Sequence, residues 1–485
     1  DDLLTELPND LDILFIGAFT QAAQLAYAIS NLYRGRGTIT VLGGPHARCY
    51  PEDARQYFDY VLGFTDRAVV QDVLAECAPQ WPEGRLMAAA RQPAELPALE
   101  ARWKFVEKAL TKAPTIKFVP MIGSLGCPYT CSFCIDSTVD YQPLGFEQVS
   151  ADLKFLLTKM KHPIVGWHDP NFGVRFDDYM EAVERVVPPG RMRHIAESSL
   201  SLLAEPHLKR LRANGFQAIL PGIESWFDLG NKSKTRRTGL EKVEQVAEHV
   251  NLILRYIPYI QTNFVLGLDT DEGPEPFELT KRFLDLAPGA FPAYSLLSAF
   301  GRAAPLNLEY QRAGRVVPFP FTFLNNNHAM NVRPKNYTWP EFYDRLVDLS
   351  RYSFSWRAIR RRLGATEGMI PKWMNVVRAM SSEGWGRIEY HTKIRRLLDE
   401  DASVRGFMEG ETDRLPAFYA RRIEHDLGDL YPHLPAGSMM HDPNAYLKST
   451  IEETVTIARP APGRRAVRPA GHARESAVTP TLGSL

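Results

Sequence analysis

Apolar runs and helically spaced stripes alternate along most of this chain. The run "LDILFIGAF" (11–19) is followed by "QAAQLAYAISNLY", whose apolar positions from Ala23 to Tyr33 recur at helical spacing, then by the β-branched run "TITVLGGPH" and the short run "DYVLGF". Unbroken apolar runs separated by helical stripes predict parallel strands covered by helices. The stretch 79–114, with "PQWPEGR" and "RQPAELPALE", shows no clear period, is rich in proline and reads as a linker. From Ile116 to about Gly314 the alternation returns. Its strand candidates are "TIKFVPMIG", "PIVGWHDP", "RHIAESS", "FQAILPGIES", "YIQTNFVLGLD" and "AYSLLSAF". The helical stretches between them include "FEQVSADLKFLLTKM", "DDYMEAVERVV", "EPHLKRLRANG" and "GLEKVEQVAEHVNLIL".

This pattern predicts an α/β fold. Residues 1–78 form an incomplete Rossmann-like domain, 79–114 a linker, and 115–315 a partial (β/α)6 barrel of the TIM type, with its working face at the carboxyl ends of the strands. Residues 316–456 read as mainly helical, and 339–363 keep a helical period through Phe342, Leu346, Leu349, Phe354 and Ile359. Beyond Ile457 the chain turns to Arg, Pro, Ala and Gly without an aromatic residue, so 457–485 are expected to be a disordered tail.

Charge and composition narrow the partners. The 485 residues are 45% hydrophobic, and 57 basic side chains balance 57 acidic ones, which excludes a partner held chiefly by charge, such as bulk nucleic acid. The locally basic "RAIRRRL" reads as a solvated helix face. With no secretory signal and no run of about 18 apolar residues, the expected location is the cytoplasm, with no transmembrane segment. The first residue is Asp1 rather than Met, as in a processed or trimmed product.

Candidate chemistry concentrates in "SLGCPYTCSFC" (124–134), which holds three of the chain's five cysteines. Thiolates at Cys127, Cys131 and Cys134 can converge from a compact loop onto one soft metal centre. Structural zinc wants a fourth Cys or His to close its shell. Cys49 and Cys77 fall in the other unit, so an iron–sulfur cluster with one open iron fits better. A second feature, Gly43-Gly44-Pro45 at a strand's carboxyl end, is either an ordinary strand-to-helix turn or a place where backbone approaches a ligand.

The spacing Cys127-x3-Cys131-x2-Cys134, with Phe133 just before the third cysteine and a strand before the motif, resembles the radical S-adenosylmethionine (SAM) superfamily over about residues 115–315. The resemblance extends to "GIES" (222–225) and to "AFGRAAPLNLEYQRAG" (299–314). It implies a [4Fe-4S] cluster on Cys127, Cys131 and Cys134, a SAM molecule chelated by the open iron, reductive cleavage to a 5′-deoxyadenosyl radical, and hydrogen abstraction from a C–H bond. It also implies a one-electron donor such as flavodoxin or ferredoxin, and a small-molecule substrate. By the same resemblance Phe133 covers the adenine and Glu224 takes ribose or methionine polar groups. Ser199, Gln261 and Asn263 reach SAM or substrate, or else make hydrogen bonds inside the barrel. Where many relatives carry a Gly-Gly-Glu turn, this chain has "WHDPNFG", in which Asp169 and Asn171 stand at the corresponding positions.

The segment "VLGGPHARCYPEDARQYFDYVLGF" (41–64) is similar to the second half of the cobalamin-binding domain that precedes many such barrels, which implies a corrin near Gly43, Gly44 and Pro45. The usual Asp-x-His-x-x-Gly ligand signature is absent. After the barrel, "FTFLNNNHAMNV" and the helix following it look like the cobalamin-type relatives of hopanoid and chlorin pathways. Asn325 to Asn327 and His328 either contact a polar substrate or form a turn rich in side-chain-to-backbone bonds. Three readings follow: a cobalamin-assisted radical SAM enzyme that methylates or cyclises a small or lipid-like metabolite, a radical SAM enzyme without cobalamin, and a non-enzymatic iron–sulfur or zinc protein.

Overall fold

The computed structural model describes residues 3–113, 117–227 and 237–445. The tail expected at 457–485 lies outside the described residues.

Four short strands open the fold: β1 (Ile13–Gly17), β2 (Ile39–Gly43), β3 (Tyr60–Leu62) and β4 (Arg85–Met87). They form an all-parallel sheet in the order β1-β2-β3-β4, with Ile13 opposite Ile39 and Tyr60 opposite Arg85. The fourth strand corrects the sequence reading. Residues 79–114, expected to be a linker, supply β4 and the helix Leu99–Lys112, so the sheet runs past residue 78. Three residues of strand are too few to show a period, and β4 exists because β3 offers it a free edge.

The second sheet takes its strands from 119–296. After β5 (Val119–Met121), the small antiparallel pair β6 (Ser124–Leu125) and β7 (Gln142–Pro143) closes a loop. Then follow β8 (Ile164–Trp167), β9 (Arg193–Ser199), β10 (Phe216–Glu224), β11 (Tyr259–Leu266) and β12 (Phe291–Leu296). The six longer-range strands are parallel in the order β12-β11-β10-β9-β8-β5. Each joins its predecessor through a helix, the connection that parallel strands require. The helix Gly239–Leu254 shows why these segments pack: Val243, Val246, Ala247, Val250 and Ile253 form one buried stripe. Each fully buried Val or Ile contributes about 1.5–3 kcal/mol.

Six helices follow between Trp339 and Leu427. The continuous period read over 339–363 is two helices, Trp339–Ser353 and Trp356–Ala365. Ser355 separates them by accepting the Ala358 N–H at 3.2 Å, the bond of an N-cap. The basic run at the second helix is not only a solvated face. Arg362 is buried, donating to the Ala290 and Ser353 carbonyls at 3.0 Å each, and lies over the Phe291 ring. Among the described residues no helix is long and apolar enough to cross a membrane.

Candidate functional site

The three cysteines sit on a loop clamped at several points. Its base is the β6–β7 ladder, where Ser124 pairs with Pro143 and Leu125 with Gln142. Gly126 enters the loop at φ 67, with its α-carbon facing the Asp140 carbonyl so closely that a Cβ would collide with it. Leu306 N–H donates to Ser132 O at 2.9 Å, and Tyr129 OH bonds Ser201 Oγ at 2.8 Å. From the first sheet, Arg48 donates to Asp136 Oδ1 at 3.1 Å and to Ile135 O at 2.9 Å. Cys127 and Cys131 are buried and Cys134 is half-buried. The Asp136 N–H points at Cys134 Sγ at 3.4 Å, a hydrogen bond of the kind that stabilises a ligand thiolate.

Asp169 lies under this loop, fully buried. Its carboxylate accepts the Gly123 N–H at 3.2 and 3.1 Å, Ser124 Oγ at 2.7 Å and the Tyr179 hydroxyl. Burial raises its pKa, against the hydrogen bonds from Tyr179, Ser124 and Gly123. Its oxygens therefore hold the strand end that leads into the cysteine loop. Asn171 is likewise engaged: Oδ1 accepts Ser199 N–H at 3.0 Å and Nδ2 donates to Ser199 Oγ at 3.3 Å. Ser199 Oγ bonds Ser201 Oγ at 3.0 Å, so Asn171, Ser199, Ser201 and Tyr129 form one chain from β9 to the cysteine loop. Gln261 donates to Asn263 Oδ1 at 2.6 Å, and Asn263 donates to the Leu220 and Pro221 carbonyls at 3.3 Å. Ser199, Gln261 and Asn263 thus each make hydrogen bonds inside the protein.

Glu224 is different. It ends β10 at φ 65, next to a register shift between Gly222 and Glu224. Such a bulge re-aims a side chain. Its carboxylate folds back so closely over Gly222 that a Cβ there would overlap Oε1.

Glu224, Phe133 and Cys134 line a cavity of about 380 Å³. The opposite wall comes from the first sheet: Phe19, Pro45 and Cys49. The turn Gly43-Gly44-Pro45 is held there because Gly44 sits at φ 86 with its α-carbon against the Ala18 backbone, and His46 N–H donates to Ala18 O at 3.0 Å. Asn325 and Asn326 form part of the rim. Asn325 Oδ1 accepts the N–H groups of Asn327 and His328 at 3.1 and 3.0 Å, and Asn326 O accepts Leu296 N–H at 2.7 Å, pinning the turn to the end of β12. The carboxyl ends of both parallel sheets thus face one cavity.

Cys49 was assigned from sequence to a separate unit, yet it lines the same cavity as Cys134. Only folding brings the two loops together, so local sequence carried no signal for it. Burial pushes the Cys49 thiol up to about 12, away from the thiolate form that metal ligation needs. Among the described residues no three His, Cys, Asp or Glu side chains stand gathered as ligands of a single ion. The sulfurs around one zinc at about 2.3 Å lie within about 4 Å of one another, whereas each iron of a cluster takes its own thiolate. The three thiols share one clamped loop, and a peptide N–H lies on one of the sulfurs. His46 is not among the residues lining the cavity: its Nε2 bonds Tyr27 OH at 2.6 Å, its Nδ1 is buried without a partner, and its ring packs against Phe321 and Tyr50.

No family model matches the chain. In sequence it is 23% identical over 376 residues to bacteriochlorophyllide d C-12(1)-methyltransferase of Chlorobaculum tepidum, covering 74% of this chain and 78% of that protein. It is 26% identical over 232 residues to bacteriochlorophyllide d C-8(2)-methyltransferase of the same organism, covering 45% of this chain and 51% of that protein. In structure it is similar to the radical S-adenosylmethionine methyltransferase TsrM of Kitasatospora setae, with a TM-score of 0.49 and 15% identity over 66% of this chain and 70% of that one. The cysteine spacing that resembles the radical SAM superfamily and a sequence relationship to two methyltransferases thus occur in one chain.

Proposed function

We propose that this protein is a SAM-cleaving enzyme that methylates a carbon of a small-molecule substrate, its six-stranded sheet acting as a partial (β/α)6 barrel. The observation that carries this reading is the single cavity shared by Cys134, Phe133 and Glu224 on one side and Phe19, Pro45 and Cys49 on the other. Its volume of about 380 Å³ is in the range of a site for one small ligand. When bound to Cys127, Cys131 and Cys134, a reduced [4Fe-4S] cluster supplies the electron that cleaves the sulfonium of SAM.

The chain's own residues do the rest. The β6–β7 clamp, Tyr129 and Arg48 hold the loop whose Cys127, Cys131 and Cys134 would bind the cluster, with Cys134 at the cavity. Phe133 gives an adenine a ring to lie on, and Glu224 accepts hydrogen bonds from ribose hydroxyls or an ammonium. Asp169 and Asn171 position the loop, and the apolar walls exclude water from a reactive intermediate. A methyl-carrying cobalamin would supply the second chemistry, and Phe19 and Pro45 on the cavity wall would be the residues beside it. The sequence relationship to two methyltransferases supports methylation over hydrogen abstraction alone. The electron comes from a separate donor such as a flavodoxin or ferredoxin.

The test is anaerobic reconstitution with iron and sulfide, then SAM and dithionite. The wild-type chain is expected to bind iron and release 5′-deoxyadenosine or S-adenosylhomocysteine, and Cys131→Ala to lose both cluster and cleavage. SAM cleavage retained in Cys131→Ala refutes the assignment. Corrin absorbance after incubation with cobalamin tests the methyl carrier separately.

A further inference from the structure

A second and larger cavity, about 670 Å³, lies among the C-terminal helices. Its wall is cationic: Arg387, Lys393, Arg421 and Arg422 line it, with Glu389 as the carboxylate among the lining residues. Two aromatic rings, Tyr390 and Phe418, stand beside these charges with centroids 6.4 Å apart.

Arg387 is the informative residue. It is 5% exposed on the helix Trp385–Glu400. Its Nη1 donates to Tyr294 O and, at 3.2 Å, to Asn327 Oδ1, while Nε and Nη2 meet no acceptor. The Tyr390 hydroxyl, also on this wall, is buried without a partner. Burial lowers the Arg387 pKa only to about 10, so the guanidinium stays charged at neutral pH. A buried guanidinium with free donors is costly unless an anion approaches it. Arg422 is paired with Asp426 at 2.8 Å, and Lys393 lies over the Phe418 ring at 4.8 Å, which leaves the lining positive overall.

The cavity has a physical link to the first one. Asn325 and Asn326 line the cysteine cavity, and the next two residues, Asn327 and His328, line this one. The turn 325–328 is a wall common to both.

We propose that this cavity is a binding site for a small organic oxyanion, a carboxylate or phosphate carried on a flat apolar body, with Arg387, Arg421, Arg422 and Lys393 facing the charge and Tyr390 and Phe418 facing the body. The site stands on its own residues and needs no cluster.

The test titrates the full-length reconstituted chain with benzoate, phenyl phosphate and neutral benzamide, read by calorimetry or ligand-observed NMR. At least one anion is expected to bind saturably, at roughly millimolar Kd as for other fragments, and at least about tenfold more tightly than benzamide. Which anion binds better distinguishes carboxylate from phosphate. The double variant Arg421→Gln/Arg422→Gln changes exposed side chains and leaves the packing intact, and is expected to weaken the anion about tenfold or more, the loss that goes with charge-assisted hydrogen bonds. The Cys131→Ala chain is expected to bind as the wild type does, which separates this site from the cluster assignment. No saturable anion binding, benzamide binding as tightly, or an unchanged affinity in the double variant would overturn the proposal.

Discussion

Asp169→Asn tests how the cysteine loop is held. In the native chain one carboxylate meets the Gly123 N–H with both oxygens, Ser124 Oγ at 2.7 Å and the Tyr179 hydroxyl, all buried. An amide keeps the shape but offers one acceptor oxygen and turns an NH2 group towards these donors. At least one buried donor then loses its partner, and the new N–H group faces another. At about 1–3 kcal/mol for each unsatisfied buried group, the substitution costs about 2–5 kcal/mol. That is a large part of the usual stability of a folded domain. Denaturant unfolding is expected to show a lower midpoint with the m-value kept, and reconstituted iron per chain is expected to fall because Gly123 and Ser124 lead directly into Cys127. Adding Tyr179→Phe removes one of the opposed donors, so the double variant is expected to lose less than the two single losses summed. Wild-type unfolding and wild-type iron content in Asp169→Asn would refute the role given to this carboxylate.

Three further outcomes follow from the same geometry. Gly222→Ala places a methyl where Glu224 Oε1 now lies, so it is expected to displace that carboxylate and weaken SAM binding by about tenfold or more, while iron content stays at the wild-type level; unchanged SAM affinity by calorimetry removes Glu224 from the site. Cys49→Ala is expected to keep full iron content, since the cluster is assigned to Cys127, Cys131 and Cys134; loss of iron would make Cys49 a ligand. Stability is expected to fall between pH 7 and pH 5. Burial holds His46 and His194 at about 3 and His441 at about 4, so as the pH falls through 6.5 the unfolded chain takes up protons that the folded chain refuses. Asp53 at about 6 and Asp271 at about 7 act oppositely, since the folded chain keeps protons there that the unfolded chain releases. The buried histidines, with His328 and His391 lowered as well, outnumber the buried carboxylates, with Asp169 raised as well, so the net change is a fall; a thermal midpoint that is level or rises towards pH 5 would contradict it.

Local pattern and tertiary context divide what sequence makes legible. The strand "RHIAESS" and the helix "GLEKVEQVAEHVNLIL" occupy the residues their periods predict, because buried faces with regular spacing carry the signal themselves. The cysteine motif is legible for a similar reason, its spacing being local. β4 and the helix Leu99–Lys112 were not, since the proline-rich sequence around them has little period and β4 is defined by its pairing with β3. The partners of Asp169 lie 45 and 46 residues earlier in the chain and 10 later, and those of Asn171 lie 28 later. Both residues could be named as site candidates, but nothing local told that their polar atoms would be used inside the protein. Arg362 was hidden in the same way: a run of arginines looks solvated until one of them finds the Ala290 and Ser353 carbonyls.

The central claim is that three clamped thiols leave one iron of a cluster open towards SAM. Electron paramagnetic resonance of the reduced, reconstituted chain, recorded with and without SAM, tests it most directly. The account predicts a [4Fe-4S] signal that changes when SAM is added and does not form in Cys131→Ala. A cluster signal that SAM leaves unaltered, or one that persists without Cys131, would contradict it.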